Sequence, residues 1–532
     1  MKERLPQHSS LSIAKNDHKA QPLVTNSPIN RRKFVKMMGA GALAFTIVPS
    51  HVLGGKNHVA PSDKITLAYI GMGTQGIREL LPLLANPQFR VTAICDPNKN
   101  AIGYRDWATD WLRNEIRTAI NNPGWTSGGD NIIPGGRENG KNIVDSFYAN
   151  IHPELKYKGC NAYADVRELL DKEKDLNAVK IMTPDHLHGI ISIAAMKKGK
   201  HVIVHKPLSN RLVEGKKVIE TARSSKVITH LVPWDSNGSM DQVMEWINSG
   251  AIGTLTEVHN WTNRPVWPQY PTLPTDSPSI PDGLDWNLWL GPEADRPYSP
   301  NYTNMVFRGW YDFGGGSMAD MGHYSLWTVF NALQLTSPTT IEPHLSHAVG
   351  FTGVVPSQIH NDFSFPMAST VRFKYPANGA RPPIDLCWYD GGMRPPIPAE
   401  LSNADKELPA EGMMFVGDKG KILAGFNVQD PQIISGNKLA AVADAKSDKR
   451  SQVEQTSSAL PLFVEACKSG KQYPGNFMEA EHLTEAVNLY AVALRTGKLL
   501  KYDAASLQIT NVPEANKYLS REYRSGWDPA TI

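Results

Sequence analysis

Cysteine is scarce in this chain: 532 residues hold four, Cys95, Cys160, Cys387 and Cys467, scattered and without a C-x-x-C pair. That usage points away from a cysteine-ligated zinc site and from a disulfide scaffold. Long apolar runs are also scarce. The uncharged stretch Met37–Val48 is twelve residues rich in Gly and Ala, too short to span a bilayer. A large charge excess is missing too. The formal net charge is +3, but the first 60 residues carry nine Lys/Arg against two Asp/Glu, so the remainder stands at −4. A mildly acidic body has no basic footprint for nucleic acid. What is present, 41% hydrophobic and 20% charged residues, reads as a globular protein too long for one simple core, so two domains are expected.

The basic residues that distort the charge balance are concentrated near the N-terminus. Asn30-Arg31-Arg32-Lys33-Phe34-Val35-Lys36 precedes the short Gly/Ala-rich run, and a basic n-region before a mildly apolar h-region is the pattern of a signal peptide. The paired arginines, with Phe34 two positions after Arg32, resemble a twin-arginine export signal. Residues 1–60 are therefore expected to be a leader and linker, cleaved somewhere in Pro49–Val59. The expected location is the periplasm, with the twin-arginine export machinery as a partner. That route carries folded proteins, so a cofactor can be loaded before export. With no exchangeable nucleotide pool outside the inner membrane, tight retention is expected.

The stretch Lys64–Asp96 organises the rest of the chain. Ile65, Leu67, Ala68, Tyr69 and Ile70 form the apolar run of a buried parallel strand. Gly71-Met72-Gly73-Thr74-Gln75-Gly76 then gives a G-x-G-x-x-G spacing, followed by Ile77, Leu80, Leu81 and Leu84 at helical intervals. In such a unit Gly71 permits the tight turn, Gly73 lets backbone approach a pyrophosphate, and Gly76 lets the helix pack on the strand. The phosphates would sit at the helix N-terminus. Asp96 ends the next strand, where a carboxylate can hydrogen-bond an adenosine ribose. A carboxylate there repels a 2′-phosphate and favours NAD over NADP; nearby Lys99 keeps NADP in view.

Strand and helix patterns then alternate. Val166–Lys172, Gly189–Lys198 and Val213–Ser224 read as helices, and Ala178–Met182, His201–Val204 and Val227–Val232 as strands. Between them a helical piece (Trp107–Ile120) precedes a loop rich in Gly, Asn and Pro (Asn121–Lys141). The fold class is α/β: an N-terminal Rossmann domain with a doubly wound parallel sheet over 61–234. From Asp235 alternating runs such as Leu255–Trp261, Ala368–Tyr375, Ile384–Trp388, Gly412–Gly417 and Lys421–Ala424 predict an α+β domain over 235–532 with a mostly antiparallel sheet. The Gly71 turn, Asp96, Thr183–His188 and His205-Lys206 all fall at carboxyl ends of parallel strands, where such sheets bind ligands.

The motifs GMGTQG, AICD, TPDHLH, HVIVHKPL, SGAIG, DWNLWLGP, GGGSMADMGHYSLW, CWYDGG and FVGDKGK span nearly everything from Lys64 to the C-terminus. Jointly they resemble the glucose–fructose oxidoreductase/inositol dehydrogenase/MocA (Gfo/Idh/MocA) family. The resemblance implies a Rossmann domain joined to a large open-faced sheet, with a sugar, polyol or glycoside as the small-molecule substrate. It places Lys206 at the reacting hydroxyl, where a lysine can shuttle the proton that leaves as hydride is removed, and also beside the cofactor. It places Thr183, Pro184 and His188 along the nicotinamide. His205 departs from the family's usual glutamate, as hydrogen-bonding substitute or packed neighbour. Asp320, His323 and Tyr324, at helical positions i, i+3 and i+4, are expected as proton donor and substrate anchors, with His323 and Tyr324 as alternatives. No third ligand completes a metal site around His186 and His188. Trp261, Trp267, Trp286, Trp289 and Trp310 are read as core rather than sugar-stacking residues.

The resemblance leaves three functions open: a periplasmic NAD(P)-dependent sugar oxidoreductase; a redox-neutral NAD-dependent glycosidase like the family's α-N-acetylgalactosaminidases, which oxidise, eliminate, hydrate and reduce; and a non-catalytic sugar-binding protein. The sugar and any homo-oligomeric state stay open.

Overall fold

Six short strands build the first sheet: β1 (Ile65–Ile70), β2 (Phe89–Cys95), β3 (Asn161–Tyr163), β4 (Ala178–Ile181), β5 (His201–His205) and β6 (Thr229–Val232). All pair in parallel, in the order β3-β2-β1-β4-β5-β6. The computed structural model describes residues 59, 63–101, 103–105, 110–126, 132–153, 157–232, 239–359, 361–403, 405–434 and 452–532. The expected leader, with Arg31 and Arg32, lies outside them, as do Asp235 and the 107–109 part of the expected helix Trp107–Ile120.

The strands are apolar on both faces because helices cover both. Leu67, Tyr69, Val91 and Ile203 pack with the helices Thr74–Ala85 and Arg137–Ile151. Ala68, Ile70, Val179 and Val204 pack with Val166–Lys172, Asp185–Lys197 and Leu212–Ser225. The chain direction across the sheet reverses between β1 and β4, which makes the crevice at their carboxyl ends the ligand position of such a fold.

The expected loop Asn121–Lys141 is shorter than its composition suggested. The helix Arg137–Ile151 starts inside it, directly after Gly136. Ile143, Val144, Phe147 and Tyr148 bury one face of that helix, but Gly140 and three asparagines dilute the signal over its length. The neighbouring helix runs Trp111–Ala119.

The second sheet has nine strands: β7 (Leu255–Trp261), β8 (Thr340–Leu345), β11 (Ser369–Tyr375), β12 (Ile384–Asp390), β13 (Gly412–Gly417), β14 (Lys421–Ala424), β15 (Gln432–Ile434), β16 (Leu500–Asp503) and β17 (Gln508–Ile509). Only β7 and β12 pair in parallel; the other pairs are antiparallel. A separate hairpin joins β9 (Ala348–Thr352) and β10 (Val355–Ile359). The helix Glu481–Thr496 buries nearly its whole length, and one apolar cluster runs without a break from its residues into the first sheet. Late in the chain, the helix Gln452–Ser469 returns to the first sheet, where Phe463 stacks on Phe89 with ring centroids 6.3 Å apart.

Candidate active site

At the carboxyl end of β1 the chain turns on Gly71, whose φ of +97° favours glycine. A Cβ on Gly71 would stand 2.5 Å from the Met182 carbonyl oxygen, and one on Gly76 would overlap the Gly71 carbonyl. Both glycines are therefore fixed by packing of turn, helix and β4. Gly73 differs: the atoms nearest a Cβ there belong to the Tyr104 side chain, at 3.2 Å and beyond. The helix that follows has Gly73 as its N-cap, no side-chain cap and no acid in its first turn. That is an open, uncapped N-terminus suited to an anion. Met72 is fully buried. Gln75 spends its side chain on Glu79 (3.1 Å) and Arg78 (2.7 Å), leaving its backbone to the turn.

Asp96 lies beside this loop, 7% exposed. Its Oδ2 accepts the Met72 N–H at 2.7 Å and its Oδ1 the Asn98 N–H at 2.8 Å, so each oxygen keeps a lone pair for a hydroxyl donor. Burial pushes its pKa up to about 6, against the pull of the two amides and Arg137. Across the crevice the Thr183 hydroxyl is buried without a partner. An uncapped helix end, an adjacent carboxylate and an orphaned hydroxyl fit a dinucleotide.

Pro184 is the N-cap of the helix Asp185–Lys197. His188 is 1% exposed and lies between two carbonyls, Pro207 on Nδ1 and Thr183 on Nε2, each at 2.7 Å. Burial drives its pKa down to about 3, so the neutral ring carries one N–H and donates to one of these two carbonyls, at the end of β4 or after β5. His186 is likewise internal, with Nε2 on the Trp289 carbonyl at 2.9 Å. Among the described residues no three His, Cys, Asp or Glu side chains cluster as metal ligands.

Lys206 follows β5 and is 2% exposed. Its Nζ is paired with Asp320 Oδ1 and lies 5.3 Å from the centre of the Tyr324 ring. Burial pulls the Lys206 ammonium below its ordinary pKa, while Asp320 opposes that shift. Burial alone would raise Asp320, but Lys206, Arg308 and Arg264 together hold its carboxyl well below the usual range. Arg308 Nε is 3.3 Å from Oδ1 and Arg264 Nε 4.0 Å from Oδ2. Three cations thus surround one carboxylate.

The segment carrying Asp320 is a π turn, Met318–Gly322, leading into His323–Ser325. A π turn holds more residues per turn than an α-helix, so position i+4 returns toward the face of i while i+3 falls short of it. Tyr324 accordingly shares Lys206 with Asp320. His323 is 1% exposed, with Nδ1 on the Ala319 carbonyl at 3.2 Å and Nε2 buried without a partner.

Two parts of the site gave no signal in the sequence. Arg264 lies in an irregular segment of the second domain and Arg308 in a short 3-10 helix, Asn304–Gly309, and neither belongs to any of the motifs. Behind Lys206, Glu79 is 1% exposed and accepts from Lys180 Nζ at 2.6 Å, with His205 Nε2 at 3.2 Å. His205 is thus the hydrogen-bonded option of the two expected for it, and its partner comes from the fingerprint helix. Asp185, in the TPDHLH motif, accepts the Gly315 N–H at 3.0 Å, and burial pushes its pKa up to about 6. Asn210 donates to the Asp312 carbonyl at 2.9 Å and Arg211 to the Tyr311 carbonyl at 2.8 Å. These bonds fasten the Lys206 segment to the one that leads to Asp320. Trp261, Trp267, Trp286, Trp289 and Trp310 are all buried, from 0% to 7% exposed, as core residues.

Residues 137–232 match the Gfo/Idh/MocA oxidoreductase family model for the NAD-binding Rossmann fold. Residues 240–345 and 401–529 match that family's C-terminal alpha/beta domain. The levoglucosan dehydrogenase of Pseudarthrobacter phenanthrenivorans is 33% identical over 138 residues, 24% of this chain and 35% of that protein. The dTDP-3,4-didehydro-2,6-dideoxy-alpha-D-glucose 3-reductase of Streptomyces violaceoruber is 30% identical over 98 residues, 18% of this chain and 28% of that protein. The chain thus spans about a third of the length of these curated relatives. Matched solved structures include the aldose-aldose oxidoreductase from Caulobacter crescentus complexed with glycerol (TM-score 0.45, 14% identity, 82% of this chain and 99% of that one). Another is the WlbA dehydrogenase from Bordetella pertussis in complex with NADH and UDP-GlcNAcA (TM-score 0.48, 12% identity, 83% and 99%).

Proposed function

Since the chain belongs to the Gfo/Idh/MocA oxidoreductase family, its two domain models together matching more than half of it, we propose that it is a nicotinamide-dependent oxidoreductase of a sugar, polyol or glycoside. NAD is the preferred cofactor, because Asp96 stands where a 2′-phosphate would be repelled. The observation that carries this reading is the Lys206–Asp320 pair, one residue at the end of β5 and the other from the second domain, flanked by Arg264 and Arg308.

The cradle of Gly71, Met72, Gly73, Gln75 and Gly76, with Asp96 on one side and Thr183, Pro184 and His188 on the other, holds the dinucleotide. When bound, the nicotinamide supplies the hydride acceptor for a carbinol carbon. Lys206 takes the proton of the substrate hydroxyl, a task for which burial favours its neutral form. Asp320 sets the position of the lysine nitrogen and limits that shift. Arg264 and Arg308 stabilise negative charge as it develops on the reacting oxygen. Tyr324 offers a second protic group at the same place, and His323 supports the turn beneath it.

Export through the Arg31-Arg32 signal with a retained cofactor is part of the proposal, and Arg31→Lys/Arg32→Lys should leave the precursor in the cytoplasm. Self-association is also proposed, through the β9–β10 hairpin, where Phe351 and Val354 are 73% and 92% exposed; sedimentation velocity tests it. The second protic group, Tyr324, favours one alternative use of the site, the redox-neutral glycosidase cycle, in which an acid is needed for the leaving group. One experiment decides between them. Purified protein is incubated with a panel of sugars and glycosides while bound-NADH absorbance and product mass are followed. Stoichiometric NADH with an oxidised sugar supports the dehydrogenase, and multiple turnovers releasing free sugar without net NADH support the alternative. Neither change with any substrate would contradict both.

A further inference from the structure

Tyr104 lies outside every motif of the sequence, yet its ring rests on the glycine turn. A Cβ on Gly73 would be 3.2 Å from Tyr104 Cε1, 3.3 Å from Cζ and 3.5 Å from the hydroxyl oxygen. On the other side of the ring, a Cβ on Gly135 would stand 2.6 Å from Cδ2 and Cε2. The aromatic ring therefore occupies a slot in which Gly135 leaves no room for a side chain, while a Cβ on Gly73 would press on the ring.

The backbone around the slot is held from several directions. Ile133 N–H donates to the Tyr104 carbonyl at 3.1 Å, Ala101 and Gly135 exchange both backbone bonds at 3.0 and 2.9 Å, and Gly136 N–H donates to the Met72 carbonyl at 2.9 Å. The second domain adds its own ties, from Lys99 N–H to the Gly283 carbonyl at 2.8 Å and from Asp285 N–H to the Pro97 carbonyl at 3.1 Å. Tyr104 is thus part of a fixed wall beside the uncapped helix end.

We propose that Tyr104 is a cofactor-binding residue, its phenol donating a hydrogen bond to the dinucleotide's pyrophosphate and its ring slowing nucleotide release. The proposal rests on the dinucleotide reading of the Gly71–Gly76 turn. Gly73 is the position where backbone comes closest to a pyrophosphate, and the phenolic oxygen stands beside it. Burial, reinforced by the nearby Asp96 charge, raises the phenol's pKa, so it remains a donor throughout the working range. A hydrogen bond to a charged acceptor is among the stronger ones.

The test uses nucleotide-free full-length protein, Tyr104→Phe and Tyr104→Ala, titrated with NAD and separately with ADP-ribose, and a chase that measures NAD release. Tyr104→Phe keeps the ring in its slot and should bind both ligands about tenfold more weakly. Equal loss for ADP-ribose is expected because the contact is to phosphate and not nicotinamide. Tyr104→Ala should release NAD faster still. Thermal melting of the free proteins serves as the control, and the Phe variant should match the parent. Parental affinities for both ligands in Tyr104→Phe, or tighter binding in Tyr104→Ala, would overturn the proposal while leaving the dinucleotide reading intact. A parent that binds neither NAD nor ADP-ribose would overturn both.

Discussion

Lys206 and Asp320 reach each other across the two domains and form a buried ion pair, the lysine side chain 3% exposed and the aspartate 15%. Asp320 is the only carboxylate paired with Lys206 among the described residues, while Arg308 approaches the same oxygen, Oδ1, and Arg264 the other, Oδ2. The pair is therefore less a stabilising bridge than a setting for the lysine nitrogen. Desolvation of two charges at such a site consumes most of what their attraction gains.

Removing the carboxylate should expose this balance. In Asp320→Asn, Lys206 loses the neighbour that opposes the downward shift caused by burial, so its pKa should fall further. If neutral Lys206 is the base, the rate rises with pH through that pKa, and the variant's rising limb should move to lower pH. The maximal rate should also drop, because the nitrogen is no longer held in place. An unchanged limb in the pH profile of hydride transfer would show that Asp320 does not control Lys206.

Asp96 should bind the ribose as a carboxylate. Asp96→Ala should weaken NAD binding by about 1–3 kcal/mol, the scale of charge-assisted hydrogen bonds. The pKa of about 6 adds a sign: below it the carboxyl gains a proton and loses an acceptor site, so parental affinity should decline as pH falls through 6 and level off above it. Calorimetric titrations of the nucleotide-free parent and variant across that range check both points. A pH-independent parent, or coincident parent and variant curves, would remove Asp96 from the ribose.

Glu79 and Lys180 form a pair with side chains 1% and 0% exposed. Glu79→Gln strands the lysine and should cost about 3–5 kcal/mol, whereas the double variant Glu79→Gln/Lys180→Met should recover part of that loss. Burial tends to raise Glu79, but Lys180 and then His205 hold it below its ordinary 4.5. The pair's contribution is therefore complete above about pH 4.5 and lost as pH falls toward the folded-state value. Urea unfolding as a function of pH should show this acid limb in the parent and not in Glu79→Gln. Additive single and double variants would mean that the pair is not coupled.

The parts of the site that follow one another along the chain were legible in the sequence. Gly71 and Gly76 announce a turn that the structure shows to be sterically closed to any side chain, and Asp96 lies beside it. Lys206 and Asp320, which belong to separate motifs, come together as an ion pair. Contacts between distant segments left no local mark. Arg264 and Arg308 gain their meaning only when the second domain folds against β5, and Glu79 reads as one more polar residue on a helix until Lys180 and His205 meet it. The Asp320–Tyr324 relationship was only half visible, because α-helical spacing gives His323 and Tyr324 equal standing and the π turn separates them. Tyr104 was hidden for the same reason as the helix Arg137–Ile151: glycine and asparagine dominate that part of the sequence, and its order depends on packing against Met72 and Gly73.

The central claim is that Lys206 handles the proton at the carbon that gives up hydride, and single-turnover reduction of bound NAD⁺ tests it most directly. Lys206→Ala should fold and keep its nucleotide, since its pairing is with the cleft residue Asp320 and not with the apolar core. Its rate of NAD⁺ reduction by substrate should fall by roughly 10²–10⁴, the usual contribution of a positioned base. The loss should appear in the first turnover, ahead of any elimination or hydrolysis that Tyr324 or His323 could assist. A Lys206→Ala protein that reduces its bound NAD⁺ at the parental rate would place the proton transfer elsewhere and contradict the mechanism.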